Sequence, residues 1–298
     1  MITQWPLVIA SACLVWAAGL FASLCAATLA GDAPRARMGA WATTVALLVA
    51  GCVGFVMRTS KWDRLFNTFA HFSSPITQEL ICIALALLAA IVFLVARSRG
   101  EGEVPRAVSV AGVLVALLLA ASVGRSLIVP ATASVPSQVM AVLAALGGAC
   151  ALGPTTMAAI ASLADRGDAL RVTGRLAVAG SAVGAAVTVG FLAFLQVSRA
   201  AAAATAGSRV QYGVDPTRPQ AGLASSAPAL PFSGDCLVLS VVTIVAAVAA
   251  LAFALAGRRR GVWRACAPAA AVCAAVALCC LLVVYFATGS ASLGTSSF

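Results

Sequence analysis

PITQELICIALALLAAIVFLVA, residues 75–96, decides the class of this chain. After Thr77, Gln78 and Glu79 near its start the run is continuously apolar. At about 1.5 Å per residue it is long enough, as a helix, to cross the ~30 Å of bilayer hydrocarbon. The apolar residues do not alternate with polar ones, which excludes a barrel strand and leaves a helix as the only spanning form. Seven further windows of this kind fall at about 5–30, 38–57, 107–129, 138–164, 172–197, 236–256 and 265–288. The expectation is an all-α integral membrane protein: one domain, a bundle of eight transmembrane helices.

Composition agrees. Of 298 residues, 62% are hydrophobic and only 9% charged, against roughly 25% charged in soluble domains. Mean hydropathy is +1.05. The net charge of +10 does not point to nucleic acid, because the basic residues sit in short caps between apolar runs and form no stripe with interleaved aromatics. Gly, Ala and Ser recur throughout, as in residues 180–186, and such side chains let helices approach closely.

The basic residues orient the bundle. Twelve of them, including Arg35, Arg37, Arg97, Arg99, Arg106 and the Arg258, Arg259, Arg260 cluster, fall in the first, third, fifth and seventh loops, and seven fall elsewhere. By the positive-inside rule the first set is cytoplasmic and both termini are outside. No Lys or Arg precedes the first run, which is expected to be an uncleaved span rather than a signal peptide. The protein is expected in the cytoplasmic membrane.

Ten cysteines include no C-x-x-C pair, and nearly all lie inside apolar runs, where they read as small packing residues. Cys266, Cys273 and Cys280, spaced by seven, mark a helix contact. No iron–sulfur ligation is visible in this chain. One histidine, His71, cannot hold a haem between two histidines.

Immediately upstream, residues 55–80 hold the only lysine, Lys61, with His71, Arg58 and Glu79. Trp62, Leu65, Phe66 and Phe69 follow helical spacing opposite Asp63, Arg64, Asn67 and His71. This predicts a short interfacial helix over 60–72 on the outer face. It is either a plain anchor or a lid over a lipid-facing pocket.

An ionisable carboxyl just inside an apolar span is costly and marks a candidate functional site. Burial favours the neutral form of a carboxyl and suits it to accept a proton near neutral pH. The structural alternative is a Glu79 ion pair with Arg58 or Arg125 that locks helices. Arg125 is the other charge near the outer end of a span, and His71 could pass a proton to water. Residues 198–235, Ala-rich and then Pro-rich, are expected to form a long flexible external loop with one helical turn near its start.

These residues resemble the membrane anchor subunit of dimethyl sulfoxide reductase-type molybdoenzymes, most clearly through the first five spans. Trp5-Pro6-Leu7 resembles the family's WPL start. Residues 64–69, RLFNTF, resemble its R-x-F-N-S-L segment, and Thr77-Gln78-Glu79 its S-N-E. Arg125 followed by Val135-Pro136 resembles R-x-Y…V-P-x-W, and Gly153-Pro154 a later glycine–proline turn. Three positions depart: Arg58 stands where the family has histidine, Leu127 stands where it has tyrosine, and the tryptophan after Val135-Pro136 is missing from Ser137-Gln138.

The resemblance implies an anchor for a molybdopterin catalytic subunit and an iron–sulfur subunit. It also implies menaquinone/menaquinol as the bound redox carrier, no haem, and Glu79 at the quinol. Arg58, Arg125 and His71 are the accompanying candidates. Two rivals are a small-molecule permease and a structural anchor whose quinol site has decayed. Transporter sites usually lie near the bilayer midplane, whereas the charges here gather at one end.

Overall fold

The computed structural model describes residues 5–58, 74–100, 103–127, 135–164, 170–206 and 230–290. The expected interfacial helix over 60–72, His71, the Arg58 side chain and most of the 198–235 loop lie outside the described residues and side chains.

Eight long helices account for nearly all of the described chain: α1 (Trp5–Leu29), α2 (Ala36–Arg58), α3 (Pro75–Arg99), α4 (Arg106–Ser126), α5 (Val135–Ala164), α6 (Val172–Ala206), α7 (Asp235–Arg260) and α8 (Trp263–Ser290). Each is long and apolar enough to cross a membrane. Their outward faces are apolar too, with Leu85, Leu88 and Ile91 on α3 each between 43% and 56% exposed. Such a surface is at home in lipid and would be an aggregation hazard in water.

α1 is the hub. It packs on α2, α4 and α5, while α5, α6, α7 and α8 pack in a closed ring. α3 leans chiefly on α4, and α2 and α3 touch only sparingly. The core of α1 is Leu14, Val15, Leu20 and Leu24, each 1% exposed or less. The hub position rests on backbone proximity. A Cβ on Gly19 would strike the Ala149 carbonyl, and one on Gly153 would strike the Gly19 carbonyl, so α1 and α5 cross where neither helix carries a side chain. Trp16 Nε1 donates to Thr156 Oγ1 at 2.8 Å across the same interface.

Pro154 interrupts α5 one residue later and removes the donor that would serve the Cys150 carbonyl. That carbonyl is the atom a Cβ on Gly180 of α6 would meet. The freed oxygen is therefore covered by close-packed backbone rather than exposed to lipid.

Local signals set the helix ends. α3 starts at Pro75 after an extended Ser74, and proline at the first helical position loses no bond. α1 ends in a Schellman turn. Gly31, with φ +69°, donates to Thr28 O at 3.1 Å, and Asp32 N donates to Ala27 O at 2.9 Å. The turn delivers Asp32 to the start of α6. Its Oδ2 accepts from Val172 N at 3.1 Å and from Thr173 N and Thr173 Oγ1, both at 2.8 Å. Burial pushes the Asp32 carboxyl upward, but the donors from Thr173, Val172 and Ala33 outweigh it, and its pKa falls below the ordinary value.

α6 runs to Ala206 rather than ending near 197. The Ala-rich run after Arg199 has high helix propensity, so the expected single turn at the start of the loop becomes a continuous extension of the helix. Among the cysteines, Cys25, Cys82 and Cys236 are buried and Cys279 is exposed. Cys273 of the seven-residue series packs against the main core.

Candidate functional site

Glu79 lies in the second turn of α3 and is 3% exposed. Its burial follows from the register of the helix. Glu79, Cys82, Ile83, Ala86, Ala90 and Phe93 form one stripe at helical spacing, all buried. Cys82, Ile83 and Ala86 pack with Val8 and Ala12 of α1 and Leu119 and Val123 of α4. The carboxyl therefore tops an inward-facing apolar stripe at the end of the bundle opposite the arginine-rich loops.

Arg125 stands in the last turn of α4 at the same end but is exposed. Glu79 and Arg125 thus share a level of the bundle and face different surroundings, inward and outward. Arg58 ends α2 at this level too; its side chain and His71 lie outside the described set. Phe55, one turn before Arg58, is 3% exposed, while Met57 beside it is 69% exposed.

A small apolar cavity lies at this end as well. Val15, Leu127, Ala141, Phe191, Leu282 and Tyr285 are among the residues around it. Tyr285 Oη donates to Leu127 O at 3.2 Å, closing α8 onto the end of α4. Its ring lies 5.9 Å from Phe191 and 5.5 Å from Phe286, centroid to centroid. Neither Glu79 nor Arg125 lines this cavity. Tyr285 was not singled out in the sequence, where its one available signal is a phenol in an otherwise apolar span. A second cavity lies within the α5–α8 ring among small residues, including Gly148, Ser181, Gly184 and Thr188, and no ionisable side chain lines it.

The fold defines a multi-pass, all-helical membrane protein with a buried carboxyl near one end. Comparison of the chain with protein-family models and with curated proteins finds no match.

Proposed function

We propose that this chain is the membrane anchor subunit of a dimethyl sulfoxide reductase-type molybdoenzyme. It would bind and oxidise menaquinol near the outer face of the cytoplasmic membrane, with both termini on that face. The sequence resemblance supports the reading, and the observation that carries it is the burial of Glu79 at the top of the α3 stripe. A buried carboxylate at headgroup depth can take a proton from a quinol hydroxyl in an apolar setting. Menaquinol gives up two electrons and two protons on oxidation. The electrons would pass to a docked iron–sulfur subunit and then to a molybdopterin subunit, and the protons would leave on the outer side.

Glu79 is assigned as the proton acceptor. Arg58, Arg125 and His71 are the candidates for holding the quinol oxygens or relaying the proton. Arginine in place of the family's histidine at 58 would donate hydrogen bonds to a quinone carbonyl but accept no proton. This concentrates the acid–base work on Glu79.

The permease reading has less support. The cavity inside the α5–α8 ring is lined by small and apolar groups with no charge, and Glu79 and Arg125 lie near one end of their helices rather than at the middle. The test is extraction of quinone from the purified full-length chain. Menaquinone that co-purifies with the wild type and is lost from the E79Q variant supports the proposal. Equal retention by both removes Glu79 from the site.

A further inference from the structure

Three side-chain atoms at the basic end of the bundle are buried without a hydrogen-bond partner among the described residues: Arg37 Nε, Arg97 Nη1 and Ser109 Oγ. They stand on consecutive helices, at the second position of α2, in the last turn of α3 and in the first turn of α4. Arg37 is 8% exposed and Ser109 1%. Trp41 Nε1, one turn along α2 from Arg37, donates to Ala90 O of α3 at 2.9 Å. This bond holds the two basic helix ends together although the helices touch sparingly elsewhere, and Arg97 lies within electrostatic reach of Arg37.

Two like charges within electrostatic reach of each other, each with a buried nitrogen, oppose folding unless something answers them. The carboxylates that Arg37 senses are Asp32 and Glu103. Asp32 commits both oxygens elsewhere, Oδ2 to α6 and Oδ1 to Ala33 N at 3.2 Å. Glu103 is exposed in the turn after α3. Neither forms an ion pair with Arg37 or Arg97 among the described residues. An arginine that served only to set topology could stay in water, as Arg99 and Arg106 do. Arg37 does not.

Guanidinium donors, with a buried hydroxyl at the same end of the bundle, suit the oxygens of a phosphate group, which arginine engages with parallel N–H donors. Basic pockets between spans, at the level of the cytoplasmic headgroups, are where anionic headgroups bind. We infer that Arg37, Arg97 and Ser109 form a phosphate-binding site at the basic end, between α2, α3 and α4. It takes the phosphodiester of an anionic lipid or a free phosphate. The site lies at the opposite end from Glu79 and does not depend on the quinol assignment.

The test uses the full-length chain in three settings: phosphatidylcholine vesicles, the same vesicles with added phosphatidylglycerol, and phosphatidylcholine vesicles with inorganic phosphate. Thermal melting is the readout. The wild type is expected to gain about 2–4 °C from at least one phosphate source. A gain with phosphatidylglycerol alone identifies a lipid site, and a gain with inorganic phosphate identifies a site open to soluble anions. The R37Q and R97Q variants lose the gain, while R106Q, a change of the same charge at an exposed position, keeps it. Circular dichroism shows whether R37Q folds. If it does not, R97Q decides, because Arg97 is only half-buried. No gain in either setting overturns the site. So does an equal gain in R97Q and the wild type, or an equal loss in R106Q.

Discussion

The carboxylate of Asp32 caps a helix that begins 140 residues further along the chain. Asp32 Oδ2 accepts from Val172 N, and it accepts from both the backbone and the hydroxyl of Thr173 at 2.8 Å. Helix starts leave unsatisfied N–H groups and a partial positive charge, which a carboxylate answers. Here the carboxylate comes from the turn after α1, so the cap also ties the hub helix to the α5–α8 ring.

Removing that cap is expected to loosen the tie. Asp32→Ala should cost about 0.5–2 kcal/mol, as for other N-caps, and Asp32→Asn should cost less. The pH dependence follows from the sign of the shift. The folded pKa is lowered, so the stabilisation is fully present above the ordinary value of 3.8 and is lost as pH falls through the depressed folded value. Melting in detergent from pH 7 down to pH 3 should show an acid-side loss in the wild type. Asp32→Asn should flatten that loss.

The α1–α5 crossing makes a sharper prediction. Gly19→Ala or Gly153→Ala places a methyl against the opposing backbone, which cannot swing aside. Each should destabilise by about 1–3 kcal/mol. Gly190→Ala, at a helical position with open space around it, should be neutral or stabilising by up to about 1 kcal/mol. Melting temperatures of the three variants check this, and a Gly19→Ala protein as stable as Gly190→Ala would contradict the crossing.

Trp41→Phe deletes the bond to Ala90 O that spans the sparse α2–α3 seam. About 0.5–1.5 kcal/mol should be lost, with faster amide exchange at the facing ends of α2 and α3 and little change in α7 and α8. Uniformly faster exchange over all helices would show that the bond has no local role.

The eight spans were legible because membrane insertion demands long uninterrupted apolar runs, a signal that needs no partner. Glu79 was legible as a carboxyl just inside a span, but its inward direction was not, because Leu80, Ile81, Ala84 and Leu85 make the other faces of the same run apolar too. Long-range pairings were not legible either. Asp32 sits in a Gly-Asp-Ala-Pro turn with nothing nearby to reveal that Thr173 needs a cap. Arg37 and Arg97 read as loop charges that set topology. Their burial depends on how α2 and α3 meet, and the first clue is only that Arg37 falls one residue inside its helix. The helical extension to Ala206 was legible only as a single turn at the start of the 198–235 loop, and the Ala-rich run carries it further by its own propensity. Tyr285 became notable only once Leu127 and Phe191 were placed beside it.

The central claim is that Glu79 takes the proton from menaquinol. The most direct measurement is the menaquinol oxidation rate of Glu79→Gln in membranes that hold the chain with its native partners, normalised to the amount of folded protein. The account predicts a fall of about 10²–10⁴-fold, the contribution of a positioned general base, with the melting temperature nearly unchanged. A normal rate per folded molecule, with or without lost stability, would contradict it and leave Glu79 as a helix-locking group.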